Sequence, residues 1–134
     1  AVLKFISGKY LQIGYSEEYG KLVAEGTGAE QITFTSASPT PQKGDWGSIR
    51  FTTKTMSGST LEYCKISYGG YSSSYRGNIT VEPCGANNPT IVDCEISHSK
   101  YFGIYNKKVN NVYGSPSLYN NSLHDNESGD IGQD

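Results

Sequence analysis

The sequence predicts an all-β fold, a right-handed parallel β-helix (solenoid) of about five coils. Three observations support this prediction: one segment recurs at a nearly constant spacing, apolar residues recur with the same spacing, and the composition favours strands and turns over helices. The recurring segment is 61–68, which returns as 91–98 and, with less similarity, as 118–125. Recurrence every 20–50 residues is typical of architectures built from stacked repeats.

Each copy of the segment predicts two short strands joined by a bend. Its apolar residues fall at relative positions 0, +3 and +5, which fits neither the period of two of a plain strand nor the pattern of a helix face. One extra residue between two short strands explains the spacing, and this bend residue would be Tyr63, Asp93 and Asn120 in the three copies. Asp and Asn tolerate the left-handed backbone conformation of a tight corner, whereas Tyr does not share this preference.

Apolar residues form three ladders that keep the period of the segment. The first is Leu22, Ile49, Ile79, Ile104 and Ile131, the second is Ile32, Leu61, Ile91 and Leu118, and the third is Ile66, Ile96 and Leu123. Successive members are separated by 25 to 30 residues. A common period in three ladders predicts one coil for each such interval, with about three short strands in each coil.

Strands of this kind cannot pair with their sequence neighbours, because the bends direct them along different faces. We expect them to pair in parallel with the same strand one coil away, at about 4.8 Å. Crossovers between parallel strands are right-handed by default. A sandwich of antiparallel strands is the competing architecture, but it does not predict a constant period.

Taken in order, the chain is predicted to form a single domain over residues 1–134. Residues 1–20 contain two short apolar runs and an acidic turn, and they would form an N-terminal coil or a cap. Two insertions, Ser36–Trp46 and Tyr68–Gly77, interrupt the strand-like runs that follow. A strand begins at Ile131, so we expect the chain to end within a coil, either as a fragment of a longer solenoid or with its open edge covered by end-to-end association.

Charge, hydropathy and cysteine content exclude several classes of protein. The formal net charge is −2, and no basic patch points to nucleic acid. No apolar run approaches the roughly 20 residues of a membrane-spanning helix. The three cysteines are an odd number, which does not make a disulfide framework.

Several motifs resemble those of the right-handed parallel β-helix proteins of the pectate-lyase-like superfamily. They are the repeated Leu/Ile-x-x-Cys-x-Ile units, the steps Gly103-Ile104 and Asp130-Ile131, and the run 32–36 followed by 44–49, which is similar to a segment of bacterial secreted and cell-surface β-helix proteins. The resemblance implies the fold and a secreted or cell-surface location. It does not imply one function, because the superfamily hosts lyases, hydrolases, epimerases, adhesins and inert spacers.

The two insertions predict a first candidate site. Both lie between corresponding strands of neighbouring coils, so they should leave the solenoid at the same corner. They would bring together one group of aromatic and basic side chains, namely Trp46, Tyr68, Tyr71, Tyr75 and Arg76. Exposed aromatic rings stack on sugars and Arg holds carboxylates, so the group favours carbohydrate binding. The alternative is that these side chains only cover the flank of the solenoid.

A second candidate site consists of Tyr68, His98 and Asp125, which occupy the same position in three successive coils. A Tyr/His/acid cluster on a β-helix resembles the catalytic sites of uronate lyases and epimerases, where a base removes the proton beside the carboxylate. The alternative is a solvent-facing polar column. The calcium-binding acids and catalytic arginine of pectate lyases, and the paired acids of polygalacturonases, are not recognisable.

Three further features have structural interpretations. Cys64 and Cys94 stack at inward positions, where they would be buried thiols or, since one coil of separation permits it, a disulfide. Lys65 and Glu95 are matched outward positions and would form a weak ion pair. The acidic residues Asp125, Glu127 and Asp130 could bind calcium, but their spacing is not that of a calcium loop, and a solvated turn is the stronger interpretation. We expect no other metal site.

Two functional hypotheses follow. The first is a non-catalytic β-helix scaffold or carbohydrate-binding segment of a secreted or cell-surface protein, with a polysaccharide or glycan as its partner. The second is a truncated polysaccharide-active enzyme of the uronate lyase or epimerase type that uses Tyr68, His98 and Asp125.

Overall fold

The chain folds into a solenoid that is built almost entirely from β-strands. In the computed structural model, which describes residues 1–134, parallel strands stack into about four turns. The strands are, in chain order, β1 (Val2–Phe5), β2 (Leu11–Ile13), β3 (Val23–Glu25), β4 (Ile32–Ser36), β5 (Ile49–Phe51), β6 (Thr60–Glu62), β7 (Cys64–Ser67), β8 (Gly77–Val81), β9 (Thr90–Val92), β10 (Glu95–Ser97), β11 (Phe102–Asn106), β12 (Lys108–Val109), β13 (Val112–Tyr113), β14 (Ser117–Tyr119), β15 (Ser122–His124) and β16 (Gly129–Gln133). The single helical segment is a short 3-10 turn at Gly85–Asn87, and no helix has the length and apolar character of a membrane span.

Three parallel sheets run along the solenoid, and neighbouring strands in each sheet lie one coil apart. Sheet 1 has the order β1-β4-β7-β10-β15, sheet 2 has the order β2-β5-β8-β11-β16, and sheet 3 has the order β3-β6-β9-β14. Strands β12 and β13 form a separate antiparallel hairpin. The predicted parallel pairing is therefore confirmed. The number of turns is about four rather than about five, because the last level holds only β15 and β16.

The apolar ladders match the observed register except at the first coil. Leu123, Ile96, Ile66 and Phe34 stack in sheet 1, and the ladder continues to Leu3. In sheet 2 the ladder from Ile49 through Ile79 and Ile104 to Ile131 is confirmed. In sheet 3 the ladder of Leu61, Ile91 and Leu118 is confirmed.

The assignment of Leu22 and Ile32 to the predicted ladders was wrong. Leu11, not Leu22, lies opposite Ile49, and Ala24, not Ile32, lies opposite Leu61. The steps from the first coil to the second in these two sheets span 38 and 37 residues, because the second coil includes the insertion Ser36–Trp46. Because the prediction assumed a constant period, it assigned Leu22 and Ile32 to the ladders, and both lie further along the chain than the residues that actually stack there. Ile32 instead pairs with Cys64 in sheet 1.

Left-handed residues at two corners set the direction of the chain. The predicted bend residues Tyr63, Asp93 and Asn120 have φ angles of 49°, 53° and 54° and connect sheet 3 to sheet 1. Tyr63 adopts this conformation despite its low preference for it. At the far end of sheet 1, a second column has φ angles of 68°, 56° and 56°, and its members are Tyr68, His98 and Asp125. The second candidate site is thus also a column of bends.

The core is one continuous apolar cluster that contains two cysteines. Cys64 and Cys94 are buried free thiols on neighbouring coils. A hydrogen bond with Cys94 and burial together raise the pKa of the Cys64 thiol. Because both thiols are buried within the apolar cluster, both residues behave as small apolar side chains.

A buried asparagine connects the backbones of successive coils. Asn78 is fully buried, and its Oδ1 accepts a hydrogen bond from the Gly69 amide at 2.6 Å. Its Nδ2 donates to the carbonyl oxygens of Ile66 at 3.2 Å and Ser97 at 2.8 Å. These bonds satisfy backbone groups at a corner where the sheet ladder is interrupted.

Loss of one stacked isoleucine should destabilise the solenoid strongly. We expect Ile79→Ala to lower the free energy of unfolding by about 2–5 kcal/mol, because Ile79 is fully buried between Ile49 and Ile104. The matched control is Val112→Ala, at a valine that is 56% exposed on the hairpin, with an expected change below about 0.5 kcal/mol. Urea unfolding followed by circular dichroism measures both values. Equal effects of the two substitutions would contradict the stacked core.

Candidate functional site

The two insertions leave the solenoid at the same corner, between sheets 1 and 2, as predicted. Their backbones contact each other directly: the Gly44 amide donates to the Gly69 carbonyl at 3.1 Å, and the Tyr71 amide donates to the Trp46 carbonyl at 3.0 Å. Gly70 has a φ of 88°, and a Cβ there would lie 2.8 Å from Ser99 Oγ. The loop therefore requires glycine at its closest approach to the next coil.

Trp46 does not belong to the exposed part of this corner. Its side chain is fully buried, its ring stacks on Phe5 with centroids 4.2 Å apart, and its Nε1 donates to the Ser67 carbonyl at 2.7 Å. The prediction that Trp46 is available to a ligand is corrected, because the insertion folds back and places this indole in the core. Its role is to fix the base of the loop.

Tyr71 and Tyr68 end up in different environments. Tyr71 is 56% exposed, and its ring lies over Gly8, where an added Cβ would be 3.6 Å from the ring. Tyr68 is half-buried and packs against His98, with ring centroids 5.1 Å apart. Of the two rings, Tyr71 is the one that offers an open face to a ligand.

Tyr75 contacts an arginine that the sequence analysis did not single out. The guanidinium carbon of Arg50 lies 3.7 Å from the centroid of the Tyr75 ring and 3.5 Å from that of Tyr10. The ammonium of Lys107 lies 5.2 Å from the Tyr75 centroid. Tyr10 is itself 48% exposed. A cation between two aromatic rings is held by attraction to both π faces.

Arg76 lies beside this group and remains exposed. Its Nε donates to the Ser73 carbonyl at 2.7 Å, and its guanidinium lies 5.6 Å from the Tyr105 ring centroid and 3.9 Å from the Asp134 carboxylate. We use the name aromatic corner for five residues, namely Tyr10, Arg50, Tyr71, Tyr75 and Arg76.

The column of Tyr68, His98 and Asp125 is only partly assembled. Tyr68 and His98 pack together, but the Asp125 carboxylate accepts a hydrogen bond from His124 Nδ1 at 2.8 Å. His124 is the last residue of β15 in sheet 1, directly before the column, and its ring lies 6.1 Å from that of His98. His98 Nδ1 instead lies 3.0 Å from Ser97 Oγ.

His124 joins two carboxylates on neighbouring coils. Its Nε2 lies 3.1 Å from Glu95 Oε2, and Glu95 in turn forms the predicted ion pair with Lys65 at 3.3 Å. Hydrogen bonds to Asp125 and Glu95 raise the pKa of His124, and the hydrogen bonds of His124 lower the pKa of each carboxyl group. The two carboxylates therefore favour the protonated form of the His124 ring, which is the form that cannot act as a general base.

An open groove of about 320 Å³ runs over these side chains. It is lined by Lys65, Ile66, Ser67, Tyr68, Glu95, Ser97, His98 and His124. Its volume is at the small end of ligand sites, and six of its eight lining residues are polar or charged, whereas ligand pockets are lined predominantly by hydrophobic and aromatic residues.

The calcium site considered for Asp125, Glu127 and Asp130 is not formed. No three His, Cys, Asp or Glu side chains of the chain come together in an arrangement that could hold a metal ion. The Asp125 carboxylate is already bonded to His124. Asp125 and Glu127 lie in the bend and turn that precede β16, and Asp130 lies on β16 itself.

Comparisons with protein-family models, with curated protein sequences and with solved structures gave no match.

The pKa of His124 should depend on its carboxylate partners. We expect His124 to stay protonated to higher pH in the wild type than in Asp125→Asn, because the substitution removes the largest cause of the raised pKa. Asn keeps the left-handed bend at this position. Titration of the His124 ring protons by NMR measures the change.

The matched control for this titration is Asp93→Asn, which removes a carboxylate from an equivalent bend at the other corner. The control should titrate like the wild type. A His124 pKa that is the same in Asp125→Asn and in the wild type would refute the assigned contact.

Proposed function

We propose that this chain is a rigid, non-catalytic β-helix segment of a secreted or cell-surface protein, of the pectate-lyase-like type, and that it binds carbohydrate through the aromatic corner. The observation that supports the proposal best is the exposure of tyrosine rings on a rigid support. Tyr71 and Tyr10 are 56% and 48% exposed, although burial of their rings would be favourable.

The support beneath these rings is preorganised. The loop that carries Tyr71 is hydrogen bonded to the segment containing Trp46, and Trp46 is locked into the core by its stacking on Phe5. A ring that is already held in place loses little conformational entropy when it contacts a sugar. Tyrosines suit this role because one face packs on C–H groups while the hydroxyl forms hydrogen bonds.

A second candidate function is catalysis of the uronate lyase or epimerase type by Tyr68, His98 and Asp125. The packing of Tyr68 on His98 beside an open groove favours it. Two observations count against it: Asp125 is bonded to His124 rather than to His98, and all three residues occupy left-handed bends at which the chain leaves sheet 1. We therefore assign the column a structural role.

Binding should depend on Tyr71. We expect Tyr71→Ala to weaken the affinity for a glycan selected on a glycan array by about threefold to tenfold, since one aromatic contact is worth about 0.5–1.5 kcal/mol. The matched control is Tyr15→Ala, at a tyrosine that is 75% exposed outside the aromatic corner. Isothermal calorimetry gives the affinities. Absence of glycan binding by the wild type, or an equal loss in both variants, would refute the proposal.

Incubation with polyuronate should give no turnover. The ultraviolet absorbance of unsaturated uronate product and the proton exchange at C5 seen by NMR report the lyase and epimerase reactions, respectively. We expect neither signal from the wild type. A signal from the wild type that is lost in Tyr68→Phe or His98→Ala would establish the catalytic alternative instead.

A further inference from the structure

Arg50 is an outward-facing residue that is nevertheless almost completely buried. It lies between the core residues Ile49 and Phe51 on β5, so the alternation of a strand directs it away from the core. Only 8% of its surface is exposed, because the aromatic corner covers this part of sheet 2. Arginine is among the residues least often buried without a partner.

The Arg50 guanidinium has no close acidic partner within the chain. Its Nε is buried and has no hydrogen-bond acceptor, and Arg50 takes part in none of the ion pairs. Glu82 on the next coil attracts the guanidinium without forming an ion pair with it, and the Glu82 Oε1 accepts a hydrogen bond from the Thr53 amide at 3.0 Å. Burial lowers the pKa of Arg50, and nearby Tyr75 and Tyr10 oppose this effect, but a guanidinium remains charged in proteins.

The two tyrosines leave only one kind of contact open to the guanidinium. Their ring centroids lie 3.5 Å and 3.7 Å from its central carbon, and two rings at such distances cannot share one face. Both faces are therefore covered, and because Nε is also buried, a further ligand must approach the edge formed by the two Nη groups. The edge presents parallel N–H donors that match a carboxylate or sulfate group with two hydrogen bonds.

The charged groups around this edge are mixed, and Lys107 is a cation for which no ion pair is found. The Lys107 ammonium lies near the same Tyr75 ring, whereas Arg76 lies 3.9 Å from the Asp134 carboxylate and Glu82 attracts Arg50 from the next coil. A neutral sugar would leave the Arg50 guanidinium without an ion-pair partner, whereas an anionic group would supply one at a site where the guanidinium is already desolvated.

We propose that the edge of the Arg50 guanidinium binds an oxyanion, a carboxylate or a sulfate ester, carried by the ligand of the aromatic corner. The inference rests on the proposed carbohydrate binding for its biological ligand, but the anion site itself does not depend on it. Tyr10 and Tyr75 act as positioning residues that hold the guanidinium flat, and Arg50 selects charged over neutral glycans.

The first test uses inorganic sulfate and needs no glycan. Titration of ¹⁵N-labelled protein with sodium sulfate, against sodium chloride at equal ionic strength, should shift the Arg50 Nε–Hε signal saturably, and only with sulfate. The signal is assigned by its loss in Arg50→Lys. A response to sulfate no different from that to chloride would overturn the inference.

The second test compares three glycans, a carboxylated, a sulfated and a neutral oligosaccharide, by isothermal calorimetry. Arg50→Lys keeps the charge but loses the paired donors, so it should weaken binding of the anionic glycan by about tenfold, as expected for hydrogen bonds to a charged group. Lys21→Met, which removes an exposed charge outside the aromatic corner, should bind like the wild type. Whichever of the two anionic oligosaccharides binds the wild type more tightly identifies the oxyanion as a carboxylate or a sulfate ester.

The outcomes of the two tests separate the inference from the proposed function. A sulfate shift at Arg50 without binding of any glycan would reject carbohydrate binding and retain the anion site. Thermal unfolding shows whether the Arg50→Lys variant is folded. If the folded variant binds the anionic glycan with an affinity within twofold of that of the wild type, the anion site is rejected and carbohydrate binding is retained.

Discussion

Parallel backbone pairing between strands one coil apart holds every other feature of this molecule in place. Each strand has only three to five residues apart from the short hairpin, which is too little to be stable alone. Stacking turns these fragments into three continuous sheets and places like residues over like residues, so that the core is filled by ladders of Ile, Leu and Cys. The aromatic corner exists because the same stacking brings two loops from neighbouring coils into contact.

The bends explain why polar and aromatic columns arise on such a solenoid. A left-handed residue stands at both ends of β7, β10 and β15 in sheet 1, which gives six such positions. Asn or Asp, which adopt this conformation at low cost, occupies three of them. Because the coils are in register, the bend residues form columns regardless of any ligand. Tyr68, His98 and Asp125 form one such column, and the Asp125 carboxylate is bonded to His124, the residue before it, rather than to His98 in the column.

Much of the fold could be predicted from the sequence, because a period of 25 to 30 residues in several apolar ladders leaves few alternatives. The same reasoning failed at the first coil, where an insertion displaced the register and Leu11 and Ala24 took the expected places of Leu22 and Ile32. Trp46 was misjudged because residues of an insertion are usually exposed.

The residues that the sequence analysis missed have partners that are distant in sequence. Arg50 meets Tyr10 and Tyr75 at separations of 40 and 25 residues, and His124 meets Glu95 across 29 residues. One signal was available for Arg50: it is a charged residue between the ladder member Ile49 and the aromatic Phe51. For His124, the signal was its alignment with Ser97 one coil earlier, next to the ion pair that was predicted correctly.

Short proton–proton distances across the coils test the winding most directly. Nuclear Overhauser measurements on the labelled protein should connect backbone protons of Ile66 with those of residues 95–97, and those of Ile49 with residues 78–80, in the pattern of parallel strands. Strong contacts between facing α-protons of consecutive strands such as β7 and β8 are the pattern of antiparallel pairing, and finding them would contradict the solenoid and the aromatic corner together.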